Sequence, residues 1–293
     1  MIAAIRAAGA RIFDNAMLYK DITQWLRNKT FLVLFFGLLA AAEGFSLFIM
    51  ALGEEIGRPG AAVFSVLYFV LFLYGFVIAY MGHSLTSREF LNRTFELYEL
   101  SGMSLERMIG GKFLSMVYQF YFGFFCIVPF LFFAYFLGGL DFLDVVSGMI
   151  LVSLIVPPVY LIALLTALTT KLKQIATLGK IAAVGLVILF SFFGVISIFS
   201  RSFFGIYLFD QITELLKQIL SGNRHVLLAV AVFLVFYLQL CLLLFYLCCH
   251  MVSRETDSRE VAIKVLCLTL TLSWLSLIAT MSFLISYDRE VPV

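Results

Sequence analysis

"AAVFSVLYFVLFLYGFVIAYM", from Ala61 to Met81, is a run of 21 residues without one charged side chain. At about 1.5 Å of helical rise per residue it reaches across the roughly 30 Å of a hydrocarbon core. Backbone amides and carbonyls find no water at that depth, so a spanning segment is either a helix or a strand of a closed barrel. The run lacks the period-two alternation that a barrel strand carries. It reads as a membrane-spanning helix.

Working outward, six more runs have the same character: Phe31 to Leu52, Phe113 to Gly138, Val145 to Leu168, Ile181 to Phe199, Val226 to Cys249 and Val265 to Ile285. The chain has 293 residues, 63% of them hydrophobic and only 13% charged, a balance outside that of soluble domains. The expected fold is all-α, a polytopic membrane bundle of about seven transmembrane helices. Its parts are a 1–30 interfacial segment, spans one and two over 31–81, an insert over 82–112, and spans three to seven over 113–286. They form one membrane domain, with no room for a separate soluble one.

Fifteen of the 20 lysines and arginines fall on one side of these spans, from Arg6 to Lys29, Arg88 to Lys112, Lys171 to Lys180 and Arg254 to Lys264. Arg58, Arg201, Lys217, Arg224 and Arg289 fall on the other. The positive-inside rule then predicts an inner-membrane protein with a cytoplasmic N-terminus and an outer C-terminus. Because the basic residues lie along membrane edges and the net charge is only +2, nucleic acid is not an expected partner. The lipid bilayer is. Cys126, Cys241, Cys248, Cys249 and Cys267 form no CxxC pair and read as reduced apolar fillers. A lesser reading has Cys248 and Cys249 acylated at the cytoplasmic edge. His83, His225 and His250 lie at span ends without a metal-ligand pattern, so neither zinc nor serine catalysis within the membrane is indicated. No cofactor is expected.

The stretch "LYKDITQWLRNK" places Leu18, Tyr19, Ile22, Trp25 and Leu26 within an arc of about 120°, at roughly 100° per residue. Lys20, Asp21, Gln24 and Arg27 face the other way, which predicts a helix lying in the interface. The alternative is a plain extension of the first span. The opening thirty residues lack the apolar core of a cleavable signal peptide, so they are expected to be retained.

The insert, "SREFLNRTFELYELSGMSLERMIGGK" from Ser87 to Lys112, follows the second span. Thr86 and Glu89 have capping-box spacing and predict a short helix from about Ser87 to Leu100. Ser101 and Gly102 break it, and Ser104 caps a second helix running into the third span. Phe90, Leu91, Phe95, Leu97 and Tyr98 are more apolar bulk than a solvated loop requires, so they call for a packing partner.

Three places resemble the permeases of the type 2 ATP-binding-cassette exporter family, over roughly residues 12 to 250. "NAMLYKDITQWLRNK" from Asn15 is similar to that family's elbow helix. "SREFLNRTFELYELSGMSLERMIGGKFLS" is similar to its cytoplasmic insert, with Arg88 and Glu89, Thr94 with Glu96 and Leu97, Ser101 to Ser104, and Gly111 with Lys112 in the matching places. "TKLKQ" from Thr170 is similar to its short basic loop between spans four and five. Arg93 stands where the family has a glycine, Gly102 and Met103 replace a proline-containing turn, and a seventh span exceeds the family's plain six.

The resemblance implies that the insert contains a coupling helix docking on a separate ATPase subunit, with Arg88, Glu89, Arg93, Thr94, Glu96, Leu97, Ser101, Gly102, Met103 and Ser104 at that interface. It also implies a second permease subunit, the same chain or a related one. The chain itself carries no GxxxxGK[ST] pattern: Gly111-Lys112 precedes Phe113 and Gly179-Lys180 precedes Ile181. It is therefore not expected to be an enzyme, and ATP hydrolysis would belong to the partner.

Glu43 is the one ionisable residue deep in a span. A carboxylate there costs about 2.5–3.5 kcal/mol on the insertion scale, so it should face a cavity, a polar partner or a subunit interface, or be protonated. It is the candidate for the translocation path or the dimer seam; a structural hydrogen bond is the bland alternative. The outer loop from Ser200 to His225 has helical spacing of apolar residues and predicts an amphipathic helix. Pro129, Pro157 and Pro158 interrupt spans three and four and predict bends. Outside the permease reading, the alternatives are a non-transporting scaffold or sensor, a proton-coupled secondary transporter using Glu43, and a channel.

Overall fold

The computed structural model describes residues 15–51, 59–92, 94–169, 205–252 and 264. Its helices in chain order are α1 (Ala16–Leu26), α2 (Lys29–Ala51), α3 (Pro59–Leu91), α4 (Thr94–Leu100), α5 (Leu105–Phe136), α6 (Phe142–Leu168), α7 (Gly205–Leu220) and α8 (Arg224–Val252). Among the described residues no strand occurs. Five of these helices, α2, α3, α5, α6 and α8, are long and apolar enough to cross a bilayer. The chain is a multi-pass helical membrane protein. The expected spans Ile181 to Phe199 and Val265 to Ile285 lie outside the described residues, as does the basic loop from Thr170.

α3 is the central helix, packed against α5, α6 and α2. Without a hydrophobic drive between helices in lipid, close packing has to come from small residues that let large ones in. Gly123 of α5 receives the Tyr74 ring of α3, and Gly148 of α6 receives the Tyr68 ring; a Cβ at either glycine would overlap those atoms. Tyr74 also donates its hydroxyl to the Gln119 carbonyl at 3.1 Å. Outward faces carry the lipid-compatible bulk, such as Val33, Phe36, Phe48 and Phe125. Pro157 and Pro158 sit inside α6 and Pro129 inside α5 without ending either helix.

Two expectations for the insert need correction. No helix starts at Thr86: α3 runs on unbroken to Leu91, and Thr86 is buried at 2% exposure within it. Nothing in the sequence from His83 to Leu91 interrupts helical hydrogen bonding, so the capping-box pair is left unused and the break falls at Asn92. The short helix is accordingly α4, only Thr94–Leu100. Downstream the expectation holds. Gly102 takes φ +81° in the turn, a conformation that suits glycine, and the Ser104 side chain accepts from the Arg107 amide to cap α5.

α7 occupies the expected outer loop and docks on α6. Thr213 is buried and donates to Asp144 Oδ1 at 2.8 Å, with Ser147 Oγ at 3.3 Å. Cys248 and Cys249 are fully buried, and Cys126 and Cys241 partly so. Burial favours the filler reading for Cys248 and Cys249 over acylation. Cys267 lies outside the described residues.

Candidate functional site

The root of the insert is built around four charges drawn from three helices. Lys112 opens the apolar part of α5 and is 4% exposed. A lysine so buried requires compensation by acids close at hand. Glu89, near the end of α3, meets its ammonium at 2.5 Å through Oε2, and Asp21 of α1 lies at 3.5 Å. Glu89 turns its other oxygen to Lys20 of α1 at 2.9 Å, while Lys20 and Asp21 stand 3.7 Å apart. The two acids and two bases alternate, so the cluster is neutral as a whole.

The insert supplies the aromatic lid. Tyr98 of α4 accepts a hydrogen bond from Lys20 at 2.5 Å, and its ring lies 4.9 Å from that ammonium. Phe95 holds its ring 5.9 Å from the Lys112 ammonium. The Lys20 ammonium thus sits at the hydroxyl end of the Tyr98 ring, while Lys112 approaches Phe95 near the outer limit for a cation–π contact. Phe95 is buried and packs edge-to-face on Phe90. α1, α3, α4 and α5 are thereby fastened at one point.

Burial and charge pull in opposite directions on the two α1 residues. For Asp21, burial is the larger influence and raises its carboxyl above the usual range despite the nearby Lys112 and Lys20. For Lys20, burial alone would lower the ammonium, but the hydrogen bonds to Tyr98 and Glu89 and the charges of Glu89 and Asp21 together raise it above 10.5. A raised folded value means stability present below the unfolded value and lost as pH rises through the folded one. The Lys20 contribution therefore persists through neutral pH and is lost only in the alkaline range. Asp21 counts against the fold once it ionises. The stability of Asp21→Asn relative to the wild type should rise with pH across the carboxylate range, as read from paired detergent unfolding curves; a flat difference would refute the assignment.

α1 crosses α5 at very short range. Asn15 caps α1 by accepting from the Met17 amide at 3.0 Å and donates to the Arg107 carbonyl at 2.7 Å. A Cβ at Gly111 would stand 2.9 Å from Met17 Cβ and 3.0 Å from Asn15 Nδ2. Gly111→Ala should lift α1 from α5 at a cost of about 1–3 kcal/mol, seen as a lower unfolding midpoint and faster proteolysis ahead of Lys29. Beside the cluster the open space is about 10 Å³, enough for roughly one water. This is a clasp, with no volume for a substrate.

The sequence-predicted interface residues separate on this clasp. Glu89 is turned inward to the two lysines, whereas Arg88, Leu97, Ser101, Gly102 and Ser104 are exposed and Thr94 and Met103 are half-buried. Arg93 lies outside the described residues, and Glu96 is placed only as part of the α4 backbone. Of the five bulky insert residues, Phe90, Phe95 and Tyr98 pack inward, while Leu91 and Leu97 stay 59% and 63% exposed and are joined by Leu100 at 82%. Leu97 and Leu100 lie three residues apart on α4, and Leu91 ends α3, so the outward apolar bulk sits on two neighbouring elements.

Sequence reading placed Asp21 on the polar side of α1, and the structure corrects this: Asp21 is buried with Met17, Leu18 and Trp25, while Tyr19 and Leu26 are exposed. The detectable signal was Asp21 standing midway in the Met17–Asp21–Trp25 stripe at spacing four, with a lysine flush at the start of the third span. Glu43 is exposed on α2 and has no ion pair or hydrogen bond among the described residues. No group of His, Cys, Asp and Glu there could hold a metal ion. Comparison of the chain with protein-family models, with curated proteins and with solved structures finds no match.

Proposed function

We propose that this chain is the permease subunit of an ATP-binding-cassette transporter, an exporter of the type 2 kind that its sequence resembles, working in the inner membrane with its N-terminus in the cytoplasm. The observation that carries the reading is the insert: a short helix with Leu97 and Leu100 turned outward, clasped through Phe95 and Tyr98 to the charges of α1, α3 and α5. A force applied to α4 would reach three helices at once. In this reading α1 is the elbow helix, α4 with the following turn is the coupling element, and the ATPase is supplied in trans.

Glu43 favours a second subunit over a proton-transfer role. It stands in a row on α2 with Leu32, Phe36, Leu47 and Met50, all of them exposed and on one face at helical spacing. A carboxyl facing hydrocarbon is costly, and a second permease chain laid along this row would remove it from lipid. Glu43→Gln should then weaken association of two copies, measured by cross-linking in membranes; unchanged association, transport and folding would take Glu43 out of both seam and path.

Purification in mild detergent, with co-purifying chains identified and ATP hydrolysis assayed, tests the whole reading. An ATPase bearing a Walker motif is expected to accompany the chain. If none does in any detergent tried, a scaffold or sensor whose insert binds another protein becomes the better account.

A further inference from the structure

α1 faces three environments. At 100° per residue, Met17, Leu18, Asp21 and Trp25 form the sector buried against the protein. Tyr19 and Leu26, 76% and 50% exposed, form a second, apolar sector. Lys20, Thr23, Gln24 and Arg27 form the third. A shallow groove open to the surroundings lies where the second and third sectors meet, lined by Tyr19, Lys20, Thr23, Gln24, Arg27 and Asn28.

From this we infer that the groove is a binding site for the headgroup of an anionic membrane phospholipid, its phosphate between Arg27 and Lys20. Both cations line the groove and no acid does. Arg27 is exposed, forms no ion pair among the described residues and is the main anchor, while Lys20, already paired with Glu89, Asp21 and the Tyr98 hydroxyl, keeps 38% side-chain exposure on the same edge. The depth selects a lipid over a free phosphate. Two residues beyond Arg27 the chain enters α2, whose exposed Leu32, Val33 and Phe36 lie about 5–10 Å further along the helix, where acyl chains would run. The inference needs only the membrane-spanning helices and holds whether or not the chain is a permease.

The test uses the full chain in nanodiscs of mixed phosphatidylglycerol and phosphatidylcholine, with the lipid retained after detergent extraction quantified. Wild type should retain phosphatidylglycerol at least about fivefold over its share, the preference expected of one well-placed cation near the headgroups. Arg27→Gln should lose most of that preference. Lys29→Gln, an exposed cation outside the groove, should keep it. Excess inorganic phosphate should not displace the lipid. Equal retention of the two lipids by wild type, equal loss in both variants, or full displacement by phosphate would each overturn the assignment.

Discussion

Glu89→Ala should lower the unfolding free energy by about 3–5 kcal/mol, the cost of leaving a buried partner charge uncompensated. Lys112 is 4% exposed and loses its nearest acid, and Lys20 loses its 2.9 Å partner in the same step. Asp21 remains, but it already binds its proton more tightly than usual because of burial, so it is a poor substitute. Lys112→Met alone should cost less, since Glu89 loses Lys112 but keeps Lys20 at 2.9 Å. The combination of Glu89→Leu with Lys112→Met should recover much of the loss, because two apolar groups of similar size remove the buried charges together. Unfolding free energies of the wild type, Glu89→Leu, Lys112→Met and their combination form a double-mutant cycle. Single losses below about 1 kcal/mol that simply add would mean that the clasp does not hold these helices.

The second large effect concerns association. Leu97→Glu combined with Leu100→Glu should abolish co-purification of the ATPase while leaving the unfolding midpoint within experimental scatter. Both side chains are exposed, at 63% and 82%, so they contribute little to the fold of the isolated chain. Burying a leucine side chain at a protein interface is worth about 1.5–3 kcal/mol, and a carboxylate in its place adds desolvation. Phe95→Ala should behave in the opposite way. Phe95 is 3% exposed, and its loss would loosen α4 by about 3 kcal/mol, seen as lower stability before any effect on partners.

Much of this was legible in the sequence because the bilayer is a severe solvent. Long uncharged runs such as Ala61–Met81 have few alternatives to a spanning helix, and the Gly102 turn and the Ser104 cap follow from local chemistry alone. The clasp was harder to see because it depends on which face of α1 meets α5. The apolar arc of α1 is centred roughly a quarter-turn from the face that is buried, because close approach over Gly111 decides the docking rather than average hydrophobicity. The Thr86–Glu89 pair misled for a related reason. A capping box stabilises a helix start only where a start exists, and here α3 passes through it while Glu89 is drawn to Lys112. Likewise the bulky insert residues were visible as a group, but only their packing separates Phe95 from Leu97.

The most direct measurement is photo-cross-linking in intact membranes from a benzophenone side chain placed at position 97, with the captured chain identified by mass spectrometry. Capture of an ATPase with a Walker motif, lost when Leu100→Glu is added, is the predicted result. Capture of no protein, or of one without a nucleotide-binding motif, would contradict the proposal that the insert is the docking element of an ATP-driven permease.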